Sequence, residues 1–362
     1  MKKVQRIEIL FELLRVVLGL IIAYAITIVF IMLASEESVM EAVYNFAIGP
    51  FVNARRFGQL MGKYIPYVLM GCGFCFIYSA GRFSLIGEGI VNFVPIVMCL
   101  LMFNTNLMTN LPLVLNLVIM VALCSIMGGL IAMVPAYTRE KLNQSEMVIS
   151  IVMNYMLLFL SLWVLKMWLV DRTASMQATK LYPDNMHFYS ITGTTNFHTG
   201  IIVSAIGWII AVFMFSHMKI GQKIRTCGAN PSFARYSGIN ATRTVFIAQI
   251  IGGLFAGAAA CVDAFGMYPR YQYNMLTNIG FDGLLVAVIA RKKPIFVPLS
   301  AFVLAYIRTS AVVLNLSSNI PVEFVNMMQA VLIFFVAAEH FLENSKKKVI
   351  FNLARKTQES KS

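Results

Sequence analysis

The chain has 362 residues, of which 59% are hydrophobic and only 12% are charged, and its formal net charge is +13. Soluble domains are about 45–50% apolar and about 25% charged, so this composition excludes an ordinary soluble globular protein. The basic residues are spread over short segments between apolar blocks, whereas a nucleic-acid-binding domain gathers them on one face.

Ten apolar blocks are candidates to cross a bilayer, since a spanning helix needs about 20 residues. In chain order they are Leu13–Leu33, Tyr64–Ala80, Leu85–Phe103, Leu111–Ala136, Met147–Val170, Gly200–Phe215, Val245–Val262, Phe281–Ala290, Pro294–Leu314 and Phe324–Ala338. Phe281–Ala290 is short, which indicates a broken span or one that borrows flanking residues. The blocks are apolar all round, so they predict an all-α polytopic membrane protein with about ten transmembrane helices and not a β-barrel.

The positive charges predict the orientation of the chain. With the amino terminus placed inside, most of the 29 Lys and Arg residues fall on the inner side. The positive-inside rule therefore predicts that both termini are cytoplasmic. We expect a single transmembrane domain over residues 1–345, with its longest inner loop at 218–243, and a basic cytoplasmic tail over 346–362.

Motifs for catalysis or metal binding are weak. Cys72-Gly-Phe-Cys75 lies inside a predicted span, and it has neither a second pair for zinc nor a redox-fold context. No two of the four histidines are spaced for a shared metal ion. Gly58–Lys63 lacks the spacing of a phosphate-binding loop. The sequence therefore predicts no catalytic residue, no metal and no cofactor.

Two segments place a carboxylate beside glycines at the start of an apolar block. The first is Gly81–Gly89, where Glu88 predicts either a broken helix near a pathway or an ion pair with Arg82. The second is Gly280-Phe-Asp-Gly283, whose Asp282 is typical of discontinuous transporter helices and also suits a helix N-cap. Both readings of Asp282 can hold together.

A third segment runs from Gly252 to Asp263. Gly253 and Gly257 form a G-x-x-x-G pair, which predicts close packing between membrane helices. Asp263 closes this span on the outer side, where we expect it to line a substrate mouth.

The inner loop 218–243 is long for a simple connection and contains turn residues. We expect a short helix capped by Ser232 and running to Tyr236, and a second short helix after Asn240. Two short cytoplasmic helices with exposed aromatic residues favour docking to another protein, and the alternative is an ordinary connecting loop.

Five motifs, in order from about Ile65 to Ala338, resemble the permease subunits of ATP-binding-cassette (ABC) importers for simple sugars and nucleosides, the ribose-permease-like family. The matching residues are Gly81, Phe83, Glu88, Gly89, Glu146, Asn154, Tyr155, Arg225, Gly228, Asn230, Pro231, Ala234, Gly238, Ile239, Gly253, Ala256, Gly257, Gly280, Phe281, Asp282, Gly283, Val286 and Ala287. The chain departs from the family pattern at Arg82, Ser84, Ile86 and Ile90.

The resemblance implies a type II-like permease that works by alternating access in the bacterial cytoplasmic membrane. It implies a tandem-domain ATP-binding subunit, a second permease or a second copy of this chain, and a substrate-binding lipoprotein as partners, besides membrane lipid. The expected pathway residues are Glu88, Asn92, Asn154, Asp263, Phe281 and Asp282. The expected contacts with the ATPase are Arg225, Gly228, Asn230, Pro231, Ala234 and Gly238.

The resemblance favours nucleosides or simple sugars as substrate. The departures near the pathway keep riboflavin, ribose and galactose open as alternatives. A different class, an ion-coupled secondary transporter, would work alone and often carries inverted repeats, of which the sequence gives no clear sign. An intramembrane enzyme is disfavoured by the scattered His and Cys residues.

Overall fold

The computed structural model describes residues 39–104, 112–172, 177–193 and 195–317, with isolated positions 25, 29 and 330. Apart from those three positions, the predicted first and last spans and the predicted tail 346–362 lie outside the described residues. The chain divides into two compact units, residues 1–50 with 307–362 and residues 51–306.

The described residues form twelve α-helices and no named strand. They are α1 Val39–Ala47, α2 Gly49–Val52, α3 Ala54–Ser79, α4 Gly87–Asn104, α5 Leu113–Leu142, α6 Glu146–Val164, α7 Gly200–His217, α8 Lys219–Ala229, α9 Pro231–Tyr236, α10 Ala241–Met267, α11 Ile279–Ile289 and α12 Val297–Ser317. A π-helical turn, Leu165–Leu169, continues α6, and 3₁₀ turns lie at Asp184–Met186 and Pro294–Phe296.

Seven helical segments in the described part of the chain are long and apolar enough to cross a membrane. They are Ala54–Ser79, Gly87–Asn104, Leu113–Leu142, Glu146–Leu169, Gly200–His217, Ala241–Met267 and Pro294–Leu316. The short predicted block forms α11, whose 11 residues extend over only about 16 Å, roughly half of a bilayer core. The all-α membrane class is confirmed, and the total of about ten spans stays a prediction.

Helix α10 lies at the centre of the second unit, between α5 and α3. A Cβ atom on Gly128 of α5 would lie 2.3 Å from the carbonyl oxygen of Gly253, and one on Gly257 would lie 2.1 Å from that of Cys124. Real Cβ atoms do not approach so closely, so the two backbones touch only because these residues are glycines. The close packing predicted for Gly253 and Gly257 is therefore confirmed.

The loop 218–243, which the sequence predicts to be cytoplasmic, is more helical than expected. Helix α8 occupies its first part, and α9 is capped by Asn230, whose side-chain oxygen accepts the N–H of Phe233 at 3.0 Å. The cap predicted at Ser232 is wrong, because Pro231 takes the first helical position and leaves Asn230 as N-cap. The second short helix is also wrong, because Asn240 caps the long span α10 directly.

Candidate functional site

Two helices begin inside the membrane-spanning bundle, after irregular segments. Helix α4 starts at Gly87, after the irregular residues 82–85, and α11 starts at Ile279, after the irregular segment 268–278. A Cβ atom on Gly280 would lie 2.3 Å from the backbone nitrogen of Glu88, so the two helix starts are in direct contact. Such paired interruptions are the usual architecture of a site in a transport protein.

These helix starts lie well inside the span of α3. A Cβ atom on Gly87 would lie 3.2 Å from the sulfur of Met70, and one on Gly283 would lie 2.0 Å from Cγ of Met70. Met70 stands nine residues before the last residue of α3, which is about 13 Å along the helix axis. The point where the starts of α4 and α11 meet, called the crossing below, is therefore remote from both ends of the spanning helix α3.

Glu88 joins the two starts. Its carboxylate is fully buried and accepts the backbone N–H groups of Asn278 at 2.6 Å and Gly280 at 2.8 Å, and the hydroxyl of Thr277 at 3.0 Å. These donors form the amino-terminal end of α11, where the helix dipole favours negative charge. The alternative pairing of Glu88 with Arg82 is wrong, because Glu88 caps a helix in the membrane interior.

Asn154 of α6 bridges the interruption before α4. Its amide nitrogen donates to the carbonyl oxygen of Leu85 at 3.0 Å, and its amide oxygen accepts the N–H of Gly89 at 2.8 Å. A buried backbone group without a partner would cost about 1–3 kcal/mol. Asn154 thus satisfies backbone groups on both sides of the break.

Asn92 lies one turn further along α4. Its amide nitrogen donates to the carbonyl oxygen of Glu88 at 2.9 Å, and its own carbonyl oxygen accepts the hydroxyls of Tyr271 at 2.8 Å and Ser161 at 3.2 Å. Its side-chain oxygen is buried and has no hydrogen-bond partner among the described residues. The crossing thus retains one unused acceptor.

The two aspartates differ from the roles predicted for them. Asn278, and not Asp282, occupies the N-cap of α11, and the buried Asp282 side chain accepts the hydroxyl of Tyr67. Asp263 is also buried, where it accepts the hydroxyl of Tyr273. Asp263 is therefore enclosed by the protein and does not line an open mouth. Phe281, the remaining predicted residue, is only half-buried.

Residues 177–193 and 195–199, between α6 and α7, cover this region, which the sequence did not predict. They lie on the side predicted to be outside and are called the outer segment. The backbone N–H groups of Thr179 and Tyr182 donate to the carbonyl oxygens of Tyr271 and Pro269, at 3.1 and 3.0 Å. Burial raises the pKa of Tyr182 and of Tyr273, so both phenols remain protonated hydrogen-bond donors. Tyrosines just after a span read as interface anchors, and no sequence signal placed them in the core.

His198 lies in the same outer segment. Its ring is buried against Gly200 and Gly266, and its Nε2 atom has no hydrogen-bond partner among the described residues. Burial and, to a smaller extent, the neighbouring His187 lower the pKa of His198 to about 4. The imidazole is therefore neutral at neutral pH.

A polar network at the opposite end of the bundle from His198 joins the loop 218–243 to the irregular stretch before α4. Arg82 forms an ion pair with Glu140, and the second oxygen of Glu140 accepts the hydroxyl of Thr242 at 3.2 Å. Nearby, Glu146 accepts the amide of Gln249. Because Thr242 lies in the first turn of α10, this network links the end of the loop to residue 82.

The predicted loop residues occupy distinct positions. A Cβ atom on Gly228 would lie only 1.9 Å from the carbonyl oxygen of Ser79, so α8 contacts the end of α3 through bare backbone. Ala234 is buried, and Gly238 ends α9 with a φ of 76°. The Arg225 guanidinium lies 5.2 Å from the ring centre of Phe215.

Two aromatic side chains of α9, Phe233 and Tyr236, are 59% and 93% exposed. Across the described residues, no group of three or more His, Cys, Asp or Glu side chains could hold a metal ion. The side chains described at the crossing take part in hydrogen bonds.

Comparison with known proteins gives a consistent result. The family described as "Branched-chain amino acid transport system / permease component" matches residues 57–337. The nucleoside ABC transporter permease protein NupB of Lactococcus lactis is 26% identical over 326 residues, which cover 86% of this chain and 87% of that protein. The guanosine ABC transporter permease protein NupP of Bacillus subtilis is 26% identical over 322 residues, covering 86% and 89%.

A more distant relative is the glucose ABC transporter permease protein TsgB13 of Haloferax volcanii, which is 19% identical over 304 residues and is aligned over 81% of this chain and 79% of its own length. The prediction of a multi-pass transport subunit is confirmed, because the family match extends over most of the chain and includes both helix starts at the crossing. The chain belongs to the branched-chain amino acid transport system / permease component family.

Proposed function

We propose that this chain is the membrane-spanning subunit of an ATP-driven ABC importer that carries nucleosides into a bacterial cell by alternating access. The structural observation that carries the proposal is the meeting of the α4 and α11 starts at the buried Glu88 carboxylate. The names of the two relatives aligned over 86% of the chain support nucleosides as the substrate class.

The six expected pathway residues divide into two roles in this proposal. The side chains of Glu88, Asn154 and Asp282 are engaged by partners within the bundle, so they support the shape of the pathway. Asn92 offers an unused acceptor, and Phe281 offers a half-buried aromatic ring. A nucleoside presents hydroxyl and amine donors and a flat base, which such groups bind by hydrogen bonding and stacking. Asp263 holds the irregular stretch 268–278 through Tyr273.

The cytoplasmic loop transmits the action of the ATPase. A tandem-domain ATP-binding subunit would dock on α9, whose exposed Phe233 and Tyr236 have the composition of a protein interface. Movement of α9 would pass through the start of α10 to the Thr242–Glu140–Arg82 network and so to the stretch before Glu88. Hydrolysis of ATP takes place on that partner, and this chain supplies the two-state element that the partner biases.

The remaining partners and the topology follow the same proposal. Only 22% of the apolar stretch of α7 is buried within the protein, compared with 83% for α3. This leaves apolar surface on α7 for lipid or a second permease subunit. We propose ten spans with both termini in the cytoplasm of a bacterium, a second permease or a second copy of this chain, and a lipid-anchored binding protein outside. No nucleic acid takes part.

Sugars are the second candidate substrate class, favoured by the distant relative named for glucose. Ribose, galactose and riboflavin belong to the same test. An ion-coupled secondary transporter is the candidate from another class, and it differs by working without an ATPase.

The experiment begins with purification of the chain from its native membrane and identification of stoichiometric partners by mass spectrometry. The complex is then reconstituted in liposomes, and uptake of labelled guanosine, ribose, galactose, glucose and riboflavin is measured with and without ATP. We expect guanosine uptake that requires ATP. Uptake by the chain alone, driven by an ion gradient, would refute the proposal.

A further inference from the structure

A basic cavity of about 470 Å³ lies where α3, α7 and α11 end on the proposed cytoplasmic side. It is surrounded by the ends of α3 and α7, the second half of α8 and the turn after α11. Its lining residues are Tyr78, Ser79, Gly81, Phe215, Ser216, Arg225, Gly228, Ala229, Arg291, Lys292, Lys293, Pro294 and Ile295. The predicted pathway residues and the exposed aromatic side chains of α9 lie outside this cavity, and two of the expected ATPase contacts, Arg225 and Gly228, line it.

The cavity is strongly cationic. Four of its lining residues, Arg225, Arg291, Lys292 and Lys293, carry positive charge, and the lining formed by the described residues includes no carboxylate. Like charges held around one concave space repel one another, and an anion bound among them relieves that repulsion.

The backbone at this cavity is held in an uncommon conformation. Arg291 and Lys292 have φ angles of 51° and 59°, in the left-handed region that residues with a Cβ rarely adopt. Hydrogen bonds fix the turn, since the N–H of Lys292 donates to Ala287 at 2.9 Å and the hydroxyl of Ser79 donates to the Lys292 carbonyl oxygen at 3.2 Å. Strain of this kind persists where the surrounding structure enforces it, and it is frequent at ligand sites.

The position of the cavity selects the kind of anion. It adjoins the last residues of α3 and the last turn of α7, at the level where a spanning helix meets the lipid headgroups. Basic pockets between transmembrane helices on the cytoplasmic side suit anionic lipid headgroups. We propose that this cavity binds a phosphate group, as carried by an anionic phospholipid of the cytoplasmic leaflet.

A second basic cavity provides a matched control. It is lined by His217, Lys219, Lys223 and Arg243 among other residues, and it lies between the start of α8 and the start of α10. Its only left-handed lining residue is a glycine, Gly238, and it shares no lining residue with the first cavity. Neutralising two lysines there removes the same charge from the same face of the protein.

The experiment compares the wild-type chain with the variants K292Q/K293Q and K219Q/K223Q. Each chain is purified in mild detergent, and retained phosphatidylglycerol and cardiolipin are counted by native mass spectrometry; binding is then titrated in nanodiscs of stated anionic content. A surface lysine contributes about fivefold to attraction toward anionic lipid. We expect K292Q/K293Q to lose at least about tenfold more binding than K219Q/K223Q, whose loss measures the general surface attraction.

A separate arm adds inorganic phosphate to the delipidated chain and follows thermal unfolding. Stabilisation at millimolar phosphate that K292Q/K293Q abolishes, with no lipid retained by the wild type, would assign the site to free phosphate and overturn the lipid source. Equal loss of lipid in the two double variants would reduce the effect to general surface charge and overturn the site. Wild-type behaviour of K292Q/K293Q in both arms would overturn it as well.

Discussion

The capping of α11 by Glu88 predicts a large effect from removing a single charge. In Glu88→Gln one oxygen is replaced by an NH₂ donor, which cannot accept the N–H groups of both Asn278 and Gly280. Losing one hydrogen bond to a charged acceptor costs about 1.5–3 kcal/mol. The helix-dipole interaction adds up to about 2 kcal/mol at a buried helix start. Allowing for the lower cost of burying a neutral amide, we expect a net loss of about 2–4 kcal/mol in the free energy of unfolding.

The chain offers a matched control for this change. Glu146 is also a buried carboxylate in a spanning helix, but one of its oxygens has no hydrogen-bond partner among the described residues, and the other accepts the amide of Gln249. A glutamine at 146 retains that acceptor and replaces an unsatisfied oxygen, so we expect Glu146→Gln to change stability by less than about 1 kcal/mol.

The assay is thermal unfolding of the purified chain in detergent, together with ATP-dependent uptake of guanosine by the reconstituted complex. We expect Glu88→Gln to lower both the unfolding temperature and the uptake rate, and Glu146→Gln to leave the unfolding temperature near that of the wild type. Wild-type stability and uptake for Glu88→Gln would refute the capping role. Equal losses in the two variants would show that buried charge, and not the helix start, matters.

Three further predictions concern other parts of the chain. Charge reversal of either Arg82 or Glu140 should reduce coupled uptake severalfold while the basal ATPase rate persists, and the R82E/E140R swap should restore most uptake; failure of the swap would contradict coupling through this pair. Gly228→Ala should push α8 away from Ser79 and destabilise the chain by about 1–3 kcal/mol, measured by thermal unfolding. The folded pKa of His198, about 4, lies below the ordinary value of 6.5, so the unfolded chain binds more protons between these two pH values. The free energy of unfolding should therefore fall by up to about 3 kcal/mol as the pH drops from about 6.5 to 4. His198→Phe should flatten this pH dependence, and His217→Gln, at an exposed histidine, should leave it unchanged.

The spans were predictable because a bilayer imposes one simple condition, about 20 apolar residues in a helix. Gly253 and Gly257 were predictable because their four-residue spacing places both on one face of a helix. That Glu88 would be bound by partners was also predictable, since a carboxylate between glycines inside an apolar block is costly unless it is bound.

The partners of Glu88 were not predictable in the same way. Thr277 and Gly280 lie about 190 residues further along the chain, and no local pattern connects them with position 88. Local spacing instead favoured Arg82 as the partner, but Arg82 lies at the far end of an irregular stretch and reaches Glu140. Helix α8 was missed although buried Ile224 and Cys227, spaced by three residues, carried the signal of an amphipathic helix.

The hydrogen bonds around Glu88 and Asn154 hold the two helix starts in place and are compatible with the alternating access proposed above. The carboxylate binds the start of α11 through backbone N–H groups, while Asn154 binds the backbone before and after the start of α4. The chain is not helical across either break, so in the proposed mechanism each helix start can tilt while its hydrogen bonds persist or exchange. The Arg82 network lies close to the start of α4, since only residues 83–86 separate Arg82 from that helix. In the proposed mechanism, a movement at the loop 218–243 thus reaches the membrane centre without unfolding a spanning helix.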